Sequence, residues 1–276
     1  MPIETLTPEL TEGEKEIVEE RTALRAAVVH EAIREQGETE LRRPVLALTW
    51  SGLAAGLSMG FSMISQGLLQ SHLPDTPWRP LITNLGYSVG FLVVILGRQQ
   101  LFTENTLTVI LPLLARRDGA TLLGVGRLWS IVLIANLMGA LAIAWVIGNT
   151  SIFTPDVSGA FSMIGAAALS GGPSTIFLRG IFAGWLIALT VWMLPAAEGS
   201  RPVIIIAMTY LVGLGGFAHV IAGSVEVLYV VATSGAVTWI EYFRDFLLPA
   251  LGGNIVGGVS LVALFNHAQV VTERNS

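Results

Sequence analysis

Long apolar segments, separated by short polar ones, fill the chain from residue 42 onward. The first, residues 45–69, carries no charge and is long enough to cross a bilayer core about 30 Å thick. Further apolar segments follow at residues 81–115, 128–148, 176–197, 203–231 and 246–265. The pattern predicts an all-α membrane protein with six transmembrane helices. We expect loops between them, among others at residues 149–162 and 232–245.

Polar residues interrupt the second and the fifth segment. The interruptions are "RQQLFTEN", residues 98–105, and "GLGGFAHVIAGS", residues 213–224. At membrane depth, non-helical backbone is tolerated only where protein buries it or where it lines a cavity. We therefore expect spans 2 and 5 to be broken, each into two half-helices joined by a loop. Broken helices in corresponding positions are typical of transport pores.

The two halves of the apolar region share short patterns in the same order. "GLAAG" (52–56) matches "GIFAG" (180–184), "GYSVGF" (86–91) resembles "TYLVGL" (209–214), and "ANLMGA" (135–140) matches "GNIVGG" (253–258). Each half has three spans, an odd number, so the second half must enter the membrane from the opposite side. The sequence thus predicts two inverted three-helix repeats, residues 42–148 and 175–268. Asn136 and Asn254 occupy equivalent positions, where we expect them at the repeat interface.

The first 41 residues differ from the rest, because they hold 11 of the 20 acidic residues. Thr11 and Glu14 have the spacing of a capping box, and Leu24, Val28 and Ile33 recur at roughly helical spacing. We predict a cytoplasmic tail, residues 1–41, with an amphipathic helix over residues 14–36. It packs on the protein or on a sister subunit, or else serves as a docking motif.

Arginine placement predicts the orientation, because loops on the cytoplasmic side carry an excess of positive charge. Arg79, Arg179 and Arg244 fall on one side of the six spans, and the other side holds a larger set: Arg42, Arg43, Arg116, Arg117, Arg127, Arg201 and Arg274. Both termini, including a short tail at residues 269–276, are therefore expected in the cytoplasm. The 42–268 region would form the transport domain.

Composition supports a membrane protein and argues against other classes. Hydrophobic residues make up 53% of the chain and charged residues 13%, and the mean hydropathy is +0.68. The net charge of −5 gives no support to nucleic-acid binding. Ser224 near His219 lacks the spacing of a hydrolase, and no group of residues has metal-ligand spacing. We expect neither an enzyme nor a cofactor.

The residues inside the two interruptions are the candidates for function. His219 is the one histidine predicted within the membrane, where ionisable groups usually mark a solute path. Desolvation disfavours the imidazolium, so we expect a neutral ring that takes up a proton when an anion arrives. Thr103 offers a hydroxyl donor, and Arg98, Glu104 and Asn105 are expected to brace the loop. For Glu226 the sequence leaves a vestibule and a subunit interface open.

Four stretches together resemble the formate/nitrite transporter family: "LFTENTL" (101–107), "GWLIALTVWM" (184–193), "GFAHVIAG" (216–223) and "LLPALGGNIVGG" (247–258). The tail, with "HEAIREQGETELRRP", resembles the YfdC-like branch. The resemblance implies an aquaporin-like fold, a homopentamer in a bacterial inner membrane, and one pore in each protomer. It also implies that Thr103 and His219 meet at the pore centre. The apolar constrictions would be built by Phe91 and Phe102, with Tyr87, Leu101 and Val212 as further candidates.

The sequence departs from the family pattern at positions that bear on the solute. Gln100 and Ala218 stand where formate and nitrite carriers usually have acids, and Gly223 stands where they have asparagine. The lysine expected outside span 4 is missing, and Arg179 lies elsewhere in the pattern. We expect a channel or transporter for a small monovalent anion or its conjugate acid, proton-linked through His219. The alternatives are a pore for a neutral solute or a cation, and a non-conducting membrane scaffold or sensor.

Overall fold

The computed structural model describes residues 11–14 and 24–275, and regular structure in these ranges is helical, without a β-strand. The α-helices are α1 (Ala26–Leu41), α2 (Val45–His72), α3 (Arg79–Leu96), α4 (Asn105–Thr108), α5 (Ile110–Arg116), α6 (Gly119–Asn149), α7 (Pro155–Ala168), α8 (Gly172–Met193), α9 (Arg201–Leu214), α10 (Val220–Thr233), α11 (Trp239–Glu241), α12 (Leu248–Ile255) and α13 (Phe265–Asn275). Two short 3₁₀ turns, Leu194–Ala196 and Glu198–Ser200, follow α8. Two π-helical segments, Tyr242–Leu247 and Val256–Leu264, join α11, α12 and α13 into one helical run.

Helices of membrane-spanning length and composition occur where the apolar segments predict them. They are Val45–His72, Arg79–Leu96, Gly119–Asn149, Gly172–Ala196 and Trp239–Thr272. Shorter apolar helices, Asn105–Arg116, Arg201–Leu214 and Val220–Thr233, flank the two polar interruptions. The second and fifth segments are therefore both broken, as predicted.

Two regions predicted as loops are helical in part, since residues 150–154 and 234–238 are non-helical but helices begin at Pro155 and Trp239. Within residues 149–162, α7 begins at Pro155, with Asp156 in its first turn, and both residue types favour a helix start. Val157, Phe161 and Gly165 then form a buried stripe at helical spacing. Within residues 232–245, the Thr238 hydroxyl caps the Glu241 amide and starts the last helical run at Trp239. The sequence predicts loops in both regions because their hydropathy is low. That prediction gave too little weight to the residues that favour a helix start.

The amphipathic helix predicted over residues 14–36 is only partly correct. The capping box is formed, since the Glu14 amide donates to Thr11 Oγ1 at 3.3 Å and the Thr11 amide to Glu14 Oε2 at 2.9 Å. Residues 15–23 lie outside the described ranges. Arg25 is extended (φ −64°, ψ 148°), so α1 begins after it and continues to Leu41. Its buried face is offset from the predicted stripe, because Val28 is exposed whereas Val29 is buried.

Two pairs of long helices pack with their backbones in close contact. α2 packs along α6, and α8 packs along α12. A Cβ atom at Gly56 would collide with the Asn136 carbonyl, and one at Gly184 with the Asn254 carbonyl. Small residues at such crossings let helices approach closely where lipid removes the hydrophobic drive for association. The two asparagines are thereby carried next to the broken spans.

The half-helix α10 lies in the interior of the protein. Each residue from Val220 to Val230 is buried, and α10 packs against α6 and α7. Large apolar side chains on the long helices, such as Leu46, Leu123 and Trp145, are more than half exposed and cover the outside. Of the non-helical residues 215–219, Ala218 and His219 are buried, whereas Gly215 and Gly216 are exposed. Residues 216–219 line a cavity, which is one of the settings in which non-helical backbone is tolerated at membrane depth.

Candidate functional site

The two chain breaks meet at a hydrogen bond between Thr103 and His219. Thr103 Oγ1 lies 2.8 Å from His219 Nε2, and both side chains are buried. Thr103 occupies the turn that precedes α4, and His219 is the residue before the first turn of α10. Residues far apart in the sequence are thus brought together, as the resemblance to the family implies.

His219 also caps α10, and the cap determines which ring nitrogen carries the proton. Nδ1 accepts from the Ile221 amide at 3.3 Å and from the Ala222 amide at 3.2 Å. Because Nδ1 is an acceptor, the neutral ring carries its hydrogen on Nε2 and donates it to Thr103 Oγ1. The hydrogen of the Thr103 hydroxyl is then available to another acceptor.

Asn136 makes three hydrogen bonds, two with the first loop and one with α2. Its Oδ1 accepts from the Phe102 amide at 2.9 Å, and its Nδ2 donates to the Gln100 carbonyl at 2.8 Å and to the Gly52 carbonyl at 2.7 Å. The side chain is fully buried. A single amide group therefore connects α2, α6 and the loop before α4.

Asn254 makes the corresponding contacts in the second half. Its Oδ1 accepts from the Val220 amide at 2.9 Å, and its Nδ2 donates to the Ala218 carbonyl at 2.8 Å and to the Gly180 carbonyl at 2.9 Å. Together with His219, it occupies the first amides of α10. The amides of Val220, Ile221 and Ala222 are therefore all bonded to these two side chains.

The helices that precede the two loops end in the same way. The Gln99 amide donates to the Val94 carbonyl, and the Phe217 amide to the Val212 carbonyl, both at 3.0 Å. The residue before each donor has a positive φ, 53° at Arg98 and 59° at Gly216. This is the hydrogen bonding of a Schellman C-cap, whose left-handed position favours glycine. Arg98 occupies that position without being glycine.

The predicted ion pair between Arg98 and Glu104 is not formed. No nitrogen–oxygen distance between these two described residues is within 4.0 Å, and Glu104 Oε1 is buried without a hydrogen-bond partner. The positive φ at Arg98 ends α3 and turns the chain, so the position of its side chain is set by the backbone. Both side chains line one small cavity of about 270 Å³, together with Glu40 and Arg201.

The loop is braced by amide side chains instead. Asn105 Nδ2 donates to Gln100 Oε1 and to the Leu101 carbonyl, both at 3.1 Å, which agrees with the predicted bracing role of Asn105. Gln100 Nε2 in turn donates to Glu40 Oε2 of α1 at 2.9 Å. The Trp129 indole donates to the Asn105 carbonyl at 3.1 Å. Gln100, Glu40 and Trp129 were missed, although the position of Gln100 within a polar interruption was a usable signal.

Aromatic rings pack against the Thr103–His219 pair. Phe91 meets His219 edge-on, with ring centroids 4.9 Å apart and an interplanar angle of 82°. Tyr87 packs on Phe91 at 5.4 Å, and Phe102 packs edge-on against Trp129 at 5.5 Å. Leu101 and Val212, the remaining candidates, are also buried. Phe91 is thus in ring contact with His219, and Tyr87 with Phe91.

A second, larger cavity of about 470 Å³ reaches His219 from the other end of α3. Its lining includes Tyr87, Val212 and the charged residues Arg79, Arg179 and Glu226. The small cavity lies at the C-terminal end of α3, and Phe91 lies between the two along this helix. Glu226, whose location the sequence left open, thus faces a cavity. A cavity with charged residues in its lining thus lies on each side of the buried centre formed by Phe91, Thr103 and His219.

Comparison with known proteins agrees with this geometry. The family model described as formate/nitrite transporter matches residues 27–268. The chain is 45% identical over 272 residues to the inner membrane protein YfdC of Escherichia coli, covering 97% of this chain and 86% of that protein. It is 26% identical over 214 residues to the nitrite transporter NirC of Salmonella typhimurium, covering 75% and 74%.

Solved structures show the same fold. A pentameric formate channel with formate bound superimposes with a TM-score of 0.72 at 20% identity, covering 82% of this chain and 98% of that one. An FNT family ion channel superimposes with a TM-score of 0.76 at 21% identity, covering 87% and 98%. This all-α membrane protein therefore belongs to the formate/nitrite transporter family, whose members are channels and transporters and not enzymes.

Proposed function

We propose that the protein is a channel or transporter for a small monovalent anion or its conjugate acid, of the size of formate or nitrite. The observation that carries the proposal is the Thr103–His219 hydrogen bond, formed where two broken spans meet between two polar cavities. A broken span places polar groups at membrane depth without exposing unpaired backbone to lipid. The formate channel and the nitrite transporter among the similar proteins point to the same solute class.

We propose further that residues 42–268 form six spans in two inverted repeats, 42–148 and 175–268. The hydrogen bonds of Asn136 and Asn254 support this, since each amide binds the same three kinds of partner in its own half. The residues with positive φ before the two loops support it as well. With the larger cavity facing outward, the tails at residues 1–41 and 269–276 lie in the cytoplasm of a bacterial inner membrane. The pentamer of the similar formate channel suggests a homopentamer.

The Thr103 hydroxyl is the donor that meets the solute. His219 Nε2 supplies a hydrogen to Thr103 Oγ1, so the hydroxyl hydrogen is oriented away from the histidine and toward the permeation path. We expected His219 itself to take up a proton. Its Nδ1 is engaged by two amides of α10, and protonation there would require the cap to be given up. We therefore propose that His219 orients Thr103, and that permeation is proton-linked through a proton that the solute receives before it crosses this centre.

Flux through proteoliposomes, measured for formate, nitrite, acetate and K⁺, tests the proposal. Thr103→Val should lower anion flux by about tenfold or more, because a hydrogen bond to a charged group contributes about 1.5–3 kcal/mol. Thr103→Ser should retain most of the flux. Thr190→Val is the matched control, since it removes an equally buried hydroxyl that, within the described part of the chain, donates to the Leu186 carbonyl of its own helix.

The same assay separates the alternatives. Glu226 in the larger cavity favours a pore for cations as the second candidate, and K⁺ flux without anion flux would establish it. A well-folded oligomer that conducts none of the four solutes would overturn both pore functions. It would leave the non-conducting scaffold or sensor, with α1 as its working part.

A further inference from the structure

Glu226 shares one face of α10 with His219. The two positions, with Gly223 between them, follow the spacing of residues that stack on one side of a helix, and all three line the larger cavity. At 1.5 Å per residue, Glu226 lies about 10 Å from His219 along the helix axis. The carboxyl group is buried, with 8% of the residue exposed. It is therefore part of the path that leads to the central pair.

The carboxyl group of Glu226 has no counter-charge in contact with it. Among the described residues it forms neither a hydrogen bond nor an ion pair within 4.0 Å. The two arginines of the cavity are engaged elsewhere: Arg79 with Asp75 at 2.8 Å, and Arg179 with the Ser170 carbonyl at 2.9 Å. Placing an ionisable group at membrane depth costs free energy, and such groups usually mark the path of a solute or a proton.

The titratable groups that face this carboxyl from neighbouring helices are few. Tyr87 of α3, His219 and the two arginines complete the charged and titratable lining of the cavity. α2 contributes Gln66 and Gln70, and α7 contributes apolar residues such as Met163. Glu226 is therefore the one carboxylic acid in the described lining of the larger cavity, so no second carboxyl group there competes with it for a proton.

Gly223, between the two positions on α10, packs directly against the ring of Phe246. A side chain at this position would collide with that ring. Both residues line the larger cavity, of about 470 Å³, which reaches Glu226 and His219 as well. A small anion or a short chain of water molecules fits between Glu226 and the Phe91–His219 contact.

We propose that Glu226 is the proton donor of the pore, which rests on the proposed function. The Glu226 carboxyl transfers its proton to an anion such as formate in the larger cavity. The O–H bond of Glu226 breaks, an O–H bond forms on the solute, and the carboxylate regains a proton from the outer solution. The neutral acid then crosses the apolar contact of Phe91 with His219, which avoids the cost of moving a bare charge through it.

Proteoliposome flux of formate as a function of external pH tests this role. The wild-type flux should rise as the external pH falls from about 8 to about 5, because more donor is protonated. Glu226→Gln should flatten this dependence and lower the flux at acidic pH by about tenfold, whereas Glu226→Asp should restore the slope. Asp156→Asn is the matched control, since this exposed carboxylate lies at the start of α7 outside the cavity lining.

Infrared difference spectroscopy supplies a second readout that does not depend on transport. Wild-type protein should show a carboxyl C=O band that changes when formate is added, and Glu226→Gln should lack it. If Glu226→Gln keeps the wild-type pH profile, or if the band persists, the proposed donor is wrong even though the pore conducts. If K⁺ flux is present and falls in this variant, Glu226 is a cation site and the donor role is also wrong. Absence of wild-type flux for every solute would instead refute the proposed function itself.

Discussion

Replacing Asn254 by alanine tests whether the buried amides hold the loops in place. The side chain is fully buried and makes three hydrogen bonds, with the Val220 amide and with the carbonyls of Ala218 and Gly180. Alanine has no group that can replace them. The variant would leave one backbone donor and two acceptors without this partner in the protein interior.

The cost follows from the number of stranded groups. A buried group left without a partner costs about 1–3 kcal/mol, so three such groups should cost about 3–9 kcal/mol. For a chain of this size, about 1 kcal/mol corresponds to roughly 2–4 °C in Tm, so Asn254→Ala should melt at least about 6 °C lower. Asn136→Ala should show a similar fall, because its side chain makes the corresponding contacts.

Thermal unfolding in detergent, followed by tryptophan fluorescence, measures this shift. Asn149→Ala is the control, because Asn149 is exposed and its amide donates only to the Trp145 carbonyl of its own helix. Its Tm should stay within about 2 °C of wild type, as expected for a surface substitution. If Asn254→Ala melted as little below wild type as Asn149→Ala does, the amides would not support the loops, and the reasoning would be refuted.

Two further predictions concern α1 and the start of α6. Gly37→Ala should loosen α1, because a Cβ there would collide with the Thr108 carbonyl and such overpacking costs about 1–3 kcal/mol. Trypsin should then cleave α1 faster than in wild type, whereas Gly126→Ala, with open space around its Cβ, should leave the rate unchanged. The Thr121 amide and hydroxyl, which donate to Asp118, lower the pKa of this carboxyl and so favour its charged form in the folded protein. A lowered folded-state pKa stabilises the protein above the unfolded-state pKa of about 4, and the contribution is lost as the pH falls through the folded-state value. Thermal melts of wild type below about pH 4 should therefore lose this contribution, and melts of Asp118→Asn should show no such loss; an equal loss in both would contradict it.

The sequence by itself determined the class of protein and the places where its spans break. An apolar run such as residues 45–69 predicts a membrane helix from its length alone, since bilayer thickness is fixed. The polar residues around Thr103 and His219 predicted the two breaks, because backbone without helical bonds cannot face lipid. The capping box of Thr11 and Glu14 was equally local and was also correct. Each of these features depends on residues a few positions apart.

Tertiary structure decided which side chains meet across the breaks. Arg98 and Glu104 are close in the sequence, yet in the part of the protein that the structure describes they form no ion pair, and Glu104 Oε1 is buried without a hydrogen-bond partner. The loops are held by Asn136 and Asn254, whose partners lie on other helices. Glu226 gave no sign of its location, because an acid in an apolar helix can face a neighbour or a cavity, and helix packing alone selects between them. Hydrogen-bond partners and cavities depend on how helices that are far apart in the sequence pack together. A pattern of neighbouring residues carries no information about that packing.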